Sequence, residues 1–145
     1  MVRHVAVVGP GEATAEQLAD AEAVGRGLAQ AGATLVCGGL GGVMEAACRG
    51  AAEHGGATIG ILPGSDRRAA NKWVTVAIPS GLGELRNGLI VRSADAVIAV
   101  GGSYGTLSEI ALALKTGVPV IGLGTWEIDG VERVGSPEEA VERSA

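Results

Sequence analysis

Short runs of β-branched and aliphatic residues alternate along this chain with longer stretches whose apolar residues return every three or four positions. That alternation marks strand–helix–strand units feeding a parallel sheet. The first run, HVAVV (His4–Val8), ends in the turn GPGEAT. Thr14-Ala15-Glu16-Gln17 then has the form of a capping box, opening a helix that carries Leu18, Ala21, Val24 and Leu28 at helical spacing. Gly32 stops it, and TLVC (Thr34–Cys37) is the second predicted strand. GGLGGVMEAACRGAAEHGG turns into a second helix with Val43, Ala47 and Ala51 on one face.

Further strands are predicted at ATIGIL (Ala57–Leu62), WVTVAI (Trp73–Ile78), DAVIAV (Asp95–Val100) and PVIGL (Pro119–Leu123). A shorter helix falls within PSGLGELRNGLIVRSA. Another follows the fifth strand, carrying Leu107, Ile110, Ala111 and Leu114 until Gly117. Ile128-Asp129-Gly130 reads as a turn, and Ser136-Pro137-Glu138-Glu139 announces a last helix: an N-cap, a first-turn proline, then acids. The expected fold is α/β and doubly wound: one domain over residues 1–145, with a mainly parallel sheet of about six strands and helices on both faces.

Composition narrows the picture. Of 145 residues, 47% are apolar, yet phenylalanine is absent, so the core is built from Val, Ile, Leu and Ala around 25 glycines. Such a core suits buried parallel strands with helices lying close against them. The net charge of −5 and the lack of any basic run longer than Arg67-Arg68 argue against a nucleic-acid partner. No stretch has the roughly 18 continuous apolar residues of a membrane span, and the N-terminus enters a strand without a signal-peptide pattern. A cytoplasmic protein is expected. Cys37 and Cys48 form no C-x-x-C and read as buried free thiols. His4 and His54 lie in no ligand-spaced cluster, so neither a metal nor a resident cofactor is expected.

Candidate chemistry gathers at three glycine-rich turns, each at the carboxyl end of a predicted strand: GPGEAT, GGLGG and GGSYGT. Ligands of open parallel sheets bind there, and the N–H groups of such turns suit an anion. Thr14 and Met44 stand where a G-x-G-x-x-G fingerprint needs its third glycine, and no lysine follows a G-x-x-x-x-G. A mononucleotide or similar phosphate therefore fits better than a dinucleotide or a triphosphate. Gly102, Ser103, Gly105 and Thr106 are the phosphate candidates, through hydroxyl and backbone N–H groups.

GGLGGVMEAACRGA together with GGSYGTLSE resembles the "lonely guy" (LOG) superfamily, formerly labelled lysine decarboxylases. Its motifs run like GG-x-x-G-[LV]-M and PGG-x-GT-x-x-E. The pieces ILPG, AN, IPSGLG and RN, between Ile61 and Asn87, are more similar to its short branch related to molybdenum cofactor carrier proteins. The resemblance implies a Rossmann-like domain, commonly a homodimer, with a ligand phosphate on the turn from Gly101 through Tyr104 to Thr106. Gly38, Gly39, Gly42 and Met44 would form the facing wall. In hydrolytic members an arginine and the motif glutamate split a nucleoside 5′-monophosphate into base and ribose 5-phosphate, which by position would be Arg86 and Glu109. Gly101 replaces the motif's proline, Ser103 its second glycine, and Asn87 a lysine beside the arginine.

Each candidate also has a plainer reading. Thr106-Leu107-Ser108-Glu109 is a capping box by sequence, which would leave Glu109 a purely helical role. Arg86 lies two residues from Glu84 and could pair with it at the surface. Arg67, Arg68, Asn71 and Lys72 read as solvated loop residues or as a lid, and Tyr104 as a stacking partner or a dimer contact. The first expectation is a phosphoribohydrolase, with Glu109 acting at the anomeric carbon as carboxylates do in glycoside cleavage, and Arg86 supporting charge. The alternative is a carrier or sensor that holds molybdenum cofactor or another nucleotide-like phosphate intact. A pyridoxal-dependent decarboxylase needs a Schiff-base lysine, and Lys72 and Lys115 have no context for one.

Overall fold

The computed structural model describes residues 1–145. Seven strands form one sheet: β1 (His4–Val8), β2 (Thr34–Cys37), β3 (Thr58–Leu62), β4 (Val76–Pro79), β5 (Ala96–Val100), β6 (Val120–Leu123) and β7 (Val131–Arg133). Their order is β4-β3-β2-β1-β5-β6-β7, and every pairing is parallel. The helices are α1 (Ala15–Gln30), α2 (Val43–Ala52), α3 (Arg86–Arg92), α4 (Tyr104–Thr116) and α5 (Pro137–Ser144). None is long and apolar enough to cross a membrane.

Parallel strands buried on both faces alternate their side chains between two cores. Val5, Val7, Ile98 and Val100 face α1, α2 and α5, joining Val24, Leu28 and Ala47. Ala6, Val8, Val97 and Ala99 face α3 and α4, joining Ile90, Ile110 and Ala113. The glycines let the first layer lie close: a Cβ on Gly25 would collide with the Ala47 carbonyl, and one on Gly50 with the Glu22 carbonyl. The α1–α2 crossing is therefore backbone against backbone.

The doubly wound α/β expectation holds, with differences at the edges. The seventh strand is three residues long, Val131-Glu132-Arg133, and two of them are exposed charges, so no apolar run announces it. The fourth strand starts at Val76 rather than Trp73. Ahead of it, Thr58 and Thr75 exchange side-chain bonds, each backbone N–H donating to the other's Oγ1 at 2.9 Å. Those hydroxyls add to the backbone bond that the Thr75 N–H makes to the Thr58 carbonyl at 3.0 Å.

α4 carries the largest correction. Its N-cap is Ser103, whose Oγ accepts from the Thr106 N–H, and the helix starts at Tyr104. Thr106 through Glu109 is therefore no capping box. The buried face runs Thr106, Glu109, Ile110 and Ala113, while Ala111 is exposed. The Thr14 box on α1 is real, with both reciprocal bonds present, and Ser136 caps α5 through the Glu139 N–H.

Candidate functional site

β1 has β2 on one side and β5 on the other, so its neighbours' helices pack on opposite faces and a crevice opens at the carboxyl ends. The three glycine-rich turns converge there: the Val43 N–H donates to the Pro10 carbonyl at 3.1 Å, and a Cβ on Gly9 would strike the Val100 carbonyl. Between them lies a cavity of about 170 Å³. Its walls come from the end of β1, Gly38 and Met44 of the second turn, Arg86 and Asn87 of α3, and Ser103, Gly105, Thr106 and Glu109 of α4.

Arg86 is held from several sides. Its Nε donates to the Ile61 carbonyl at 2.9 Å, one terminal nitrogen reaches the Gly38 carbonyl at 3.4 Å, and the other bonds to Asn87 Oδ1. It makes no ion pair with Glu84. Asn87 Nδ2 in turn donates to Ser108 Oγ at 3.1 Å, and Ser108 donates to the Gly105 carbonyl at 2.7 Å. This chain ties the arginine to the first turn of α4. Ser103 Oγ and Thr106 Oγ1 lie 3.0 Å apart beside the exposed N-terminus of that helix. Hydroxyls, a helix N-terminus and a fixed guanidinium are what a phosphate oxygen requires.

Glu109 is 7% exposed, lines this cavity, and its carboxylate accepts no hydrogen bond from the protein. Burial raises its pKa to about 7, against the opposing pull of the Arg86 guanidinium. A carboxyl near 4.5 in the unfolded chain and near 7 in the fold favours folding below about pH 4.5 and forfeits that advantage as pH rises through 7. Wild-type stability should therefore fall by about 3 kcal/mol between pH 4.5 and 8 on this group's account. Urea titrations across that range check it: Glu109→Gln should remove most of the slope, and an unchanged slope would contradict the shift.

The remaining sequence candidates fall around the cavity rather than in it. A Cβ on Gly39 would meet Leu62 and Gly60, so Gly39 shapes the turn from behind. Gly42 forms the N-cap of α2 and borders a neighbouring groove, which Glu45 and Trp73 also line. Gly101 packs on Gln17, and Gly102 on Trp126. Tyr104 is 84% exposed and stacks on Trp126 with ring centroids 6.2 Å apart, at the outer rim. Trp126, from the β6–β7 loop, donates to the Ser103 carbonyl at 3.0 Å. No motif announced it, because its contact depends on how the loop folds back.

Asn71 also departs from its loop-residue reading. Its backbone N–H bonds to the Gly39 carbonyl at 2.9 Å and its Nδ2 to the Leu40 carbonyl at 2.9 Å, clamping the second turn. Arg68 stays at the surface, paired with Asp66 at 2.9 Å. Val7 and Val8 of β1, with Gly9 and Gly11 of the turn after it, complete the cavity wall. The GPG turn signalled their position, but only the sheet order showed that the end of β1 is the floor.

Known proteins share this fold. A molybdenum cofactor binding protein from the phototrophic bacterium Rippkaea orientalis superposes with a TM-score of 0.94 at 40% identity, covering 99% of this chain and 95% of its own. The molybdenum cofactor carrier protein of Chlamydomonas reinhardtii gives a TM-score of 0.89 at 33% identity, over 99% of this chain and 96% of its own. An uncharacterised protein of Archaeoglobus fulgidus is 44% identical over 139 residues, covering 95% of this chain and 91% of that one. The SLOG cluster4 family matches residues 2–144, and the chain belongs to that family.

Proposed function

We propose that this chain is a carrier that binds a phosphorylated, nucleotide-like ligand and holds it intact, with molybdenum cofactor the leading candidate. The observation that carries it is the cavity at the switch point, where Arg86, Ser103 and Thr106 surround the N-terminus of α4. The names of the Rippkaea orientalis and Chlamydomonas reinhardtii proteins, similar over nearly their whole lengths, supply the ligand. In this reading Ser103, Gly105 and Thr106 take the phosphate, with Gly101, Gly102 and Gly42 shaping the turns around it. Arg86, positioned by Asn87, balances its charge. Gly38, Gly39 and Met44 face the group beyond the phosphate, and Tyr104 lies at the rim. The protein acts as a single domain, in the cytoplasm.

A LOG-like phosphoribohydrolase is the second reading, and Glu109 favours it: an unpartnered buried carboxyl with a pKa of about 7 could serve at an anomeric carbon. Against it, the neighbour of Arg86 is an asparagine engaged in holding the arginine and Ser108, where hydrolytic relatives have a lysine. A panel of nucleoside 5′-monophosphates, followed by chromatography, separates the two. The carrier should release no free base above the rate of a Glu109→Gln control. Release that depends on Glu109 would establish the hydrolase instead.

We also propose a homodimer. α3 and α4 pack on one another yet leave Leu89 40% and Leu112 36% exposed, next to Leu85 at 78%. Sedimentation should give twice the 14.3 kDa chain mass, and a monomer at micromolar concentration would contradict it.

A further inference from the structure

Directly behind the second turn, Cys37 at the end of β2 and Cys48 in α2 bring their sulfurs to 3.4 Å, and neither is exposed. The segment between them, from Gly38 to Ala47, holds both residues that this side of the sheet gives to the cavity wall, Gly38 and Met44. The pair is chemically unequal. Cys37 Sγ also accepts from the Gly39 N–H at 3.3 Å and feels the Arg86 guanidinium. The hydrogen bond shared with Cys48 is the foremost influence lowering the Cys37 thiol, against burial and the Glu109 carboxyl, which raise it. Cys48 is pushed up, first by the hydrogen bond it shares with Cys37 and then by burial. The Gly39 N–H and the Arg86 guanidinium favour a thiolate on Cys37 and make it the better nucleophile of the two.

We propose that Cys37 and Cys48 are a redox-active dithiol that closes to an intramolecular disulfide behind the ligand cavity, with a small hydroperoxide as oxidant. The Cys37 thiolate attacks the peroxide oxygen that carries the hydrogen, and the O–O bond breaks. The departing alkoxide or hydroxide takes up the proton that the Cys37 thiol released, leaving a sulfenic acid on Cys37. The Cys48 sulfur then attacks Cys37 Sγ, the S–O bond breaks, and the hydroxide leaves as water with the Cys48 proton. Two thiols lose two electrons and two protons; the peroxide becomes one alcohol and one water, or two waters from hydrogen peroxide. Closure draws the sulfurs to about 2.05 Å and fixes the base of the Gly38–Met44 turn to α2. With the resolving sulfur already in contact, closure outruns further oxidation of the sulfenic acid. Full burial of both sulfurs shuts out bulky thiol reagents, so the reaction is confined to small oxidants.

The test treats the folded full chain with hydrogen peroxide, quenches, unfolds it, and reads thiol count and intact mass. Free thiols should fall from two to none with a mass loss of about 2 Da, no interchain crosslink and a higher Tm, all reversed by dithiothreitol. In Cys48→Ala a sulfenic acid should persist on Cys37, captured by dimedone present as the chain is unfolded, whereas Cys37→Ala should leave Cys48 unoxidised. The wild-type result stands by itself if either variant fails to fold. Two thiols surviving peroxide in the folded protein, or gains of about 32 Da from sulfinic acid in place of the loss, would overturn the proposal.

Discussion

Arg86→Ala should weaken binding of a phosphate-bearing ligand by about 100- to 1,000-fold, the loss that follows when one partner of a desolvated charge pair is removed. The size of the effect follows from how the side chain is fixed. Its Nε and terminal nitrogens are bonded to Ile61, Gly38 and Asn87, so no conformational freedom is lost when an anion arrives. Lysine cannot repeat that geometry, because a single ammonium lacks the fork that reaches two carbonyls at once. Arg86→Lys should therefore recover only a small part of the affinity. Isothermal titration with inorganic phosphate and with a nucleoside 5′-monophosphate checks both variants. An affinity within threefold of wild type for Arg86→Ala would place the anion elsewhere. The same substitution removes the cation that restrains Glu109, so its carboxyl should move still higher.

Gly42→Ala should cost about 4 kcal/mol or more in stability, enough to threaten folding of a domain this size. Gly42 sits at φ 67° and ψ −132°, in a region of backbone space essentially reserved for glycine. A Cβ there would also collide with the carbonyl oxygens of Pro10 and Gly11. Those carbonyls cannot retreat, because Pro10 accepts the Val43 N–H that starts α2 against the β1 turn. Strain and collision therefore act at one position. Chemical denaturation of Gly42→Ala beside Gly64→Ala, whose Cβ would meet nothing within 4 Å and whose φ is not positive, gives the contrast. A difference below about 1 kcal/mol between the two would contradict the account of the turn.

Much of this was legible in the sequence because the relevant forces are local. His4–Val8 and Thr34–Cys37 are strands at the expected limits, since a run of β-branched and aliphatic residues bounded by glycine allows little else. Thr14 and Ser136 cap their helices because each meets an acceptable N3 partner in its own turn. What failed depended on distant contacts. The sequence pointed to Thr106 as the cap of α4; Ser103 holds that place in the fold, and the buried face turns Glu109 into the cavity. Nothing in the spacing of that helix distinguishes the two frames. Arg86 beside Glu84 looked like a surface pair until the sheet brought the Ile61 and Gly38 carbonyls to it. The contact between Cys37 and Cys48 is of the same kind, since strand and helix had first to be packed.

The site itself was half legible. The three glycine-rich turns lie together at one end of the sheet, and eight of the thirteen candidates line one cavity there: Gly38, Met44, Arg86, Asn87, Ser103, Gly105, Thr106 and Glu109. Gly39, Gly42, Gly101, Gly102 and Tyr104 instead set its surroundings. Motif matching could not tell lining from support, because a glycine serves either purpose with the same letter.

The most direct measurement is gel filtration of the purified protein after incubation with molybdenum cofactor, with the protein fraction unfolded and its ligand identified by mass and by molybdenum content. The carrier account expects intact cofactor to elute with the protein at about one per chain, and Arg86→Ala to lose it. Cofactor eluting entirely in the small-molecule volume, from wild type as from the variant, would contradict that account.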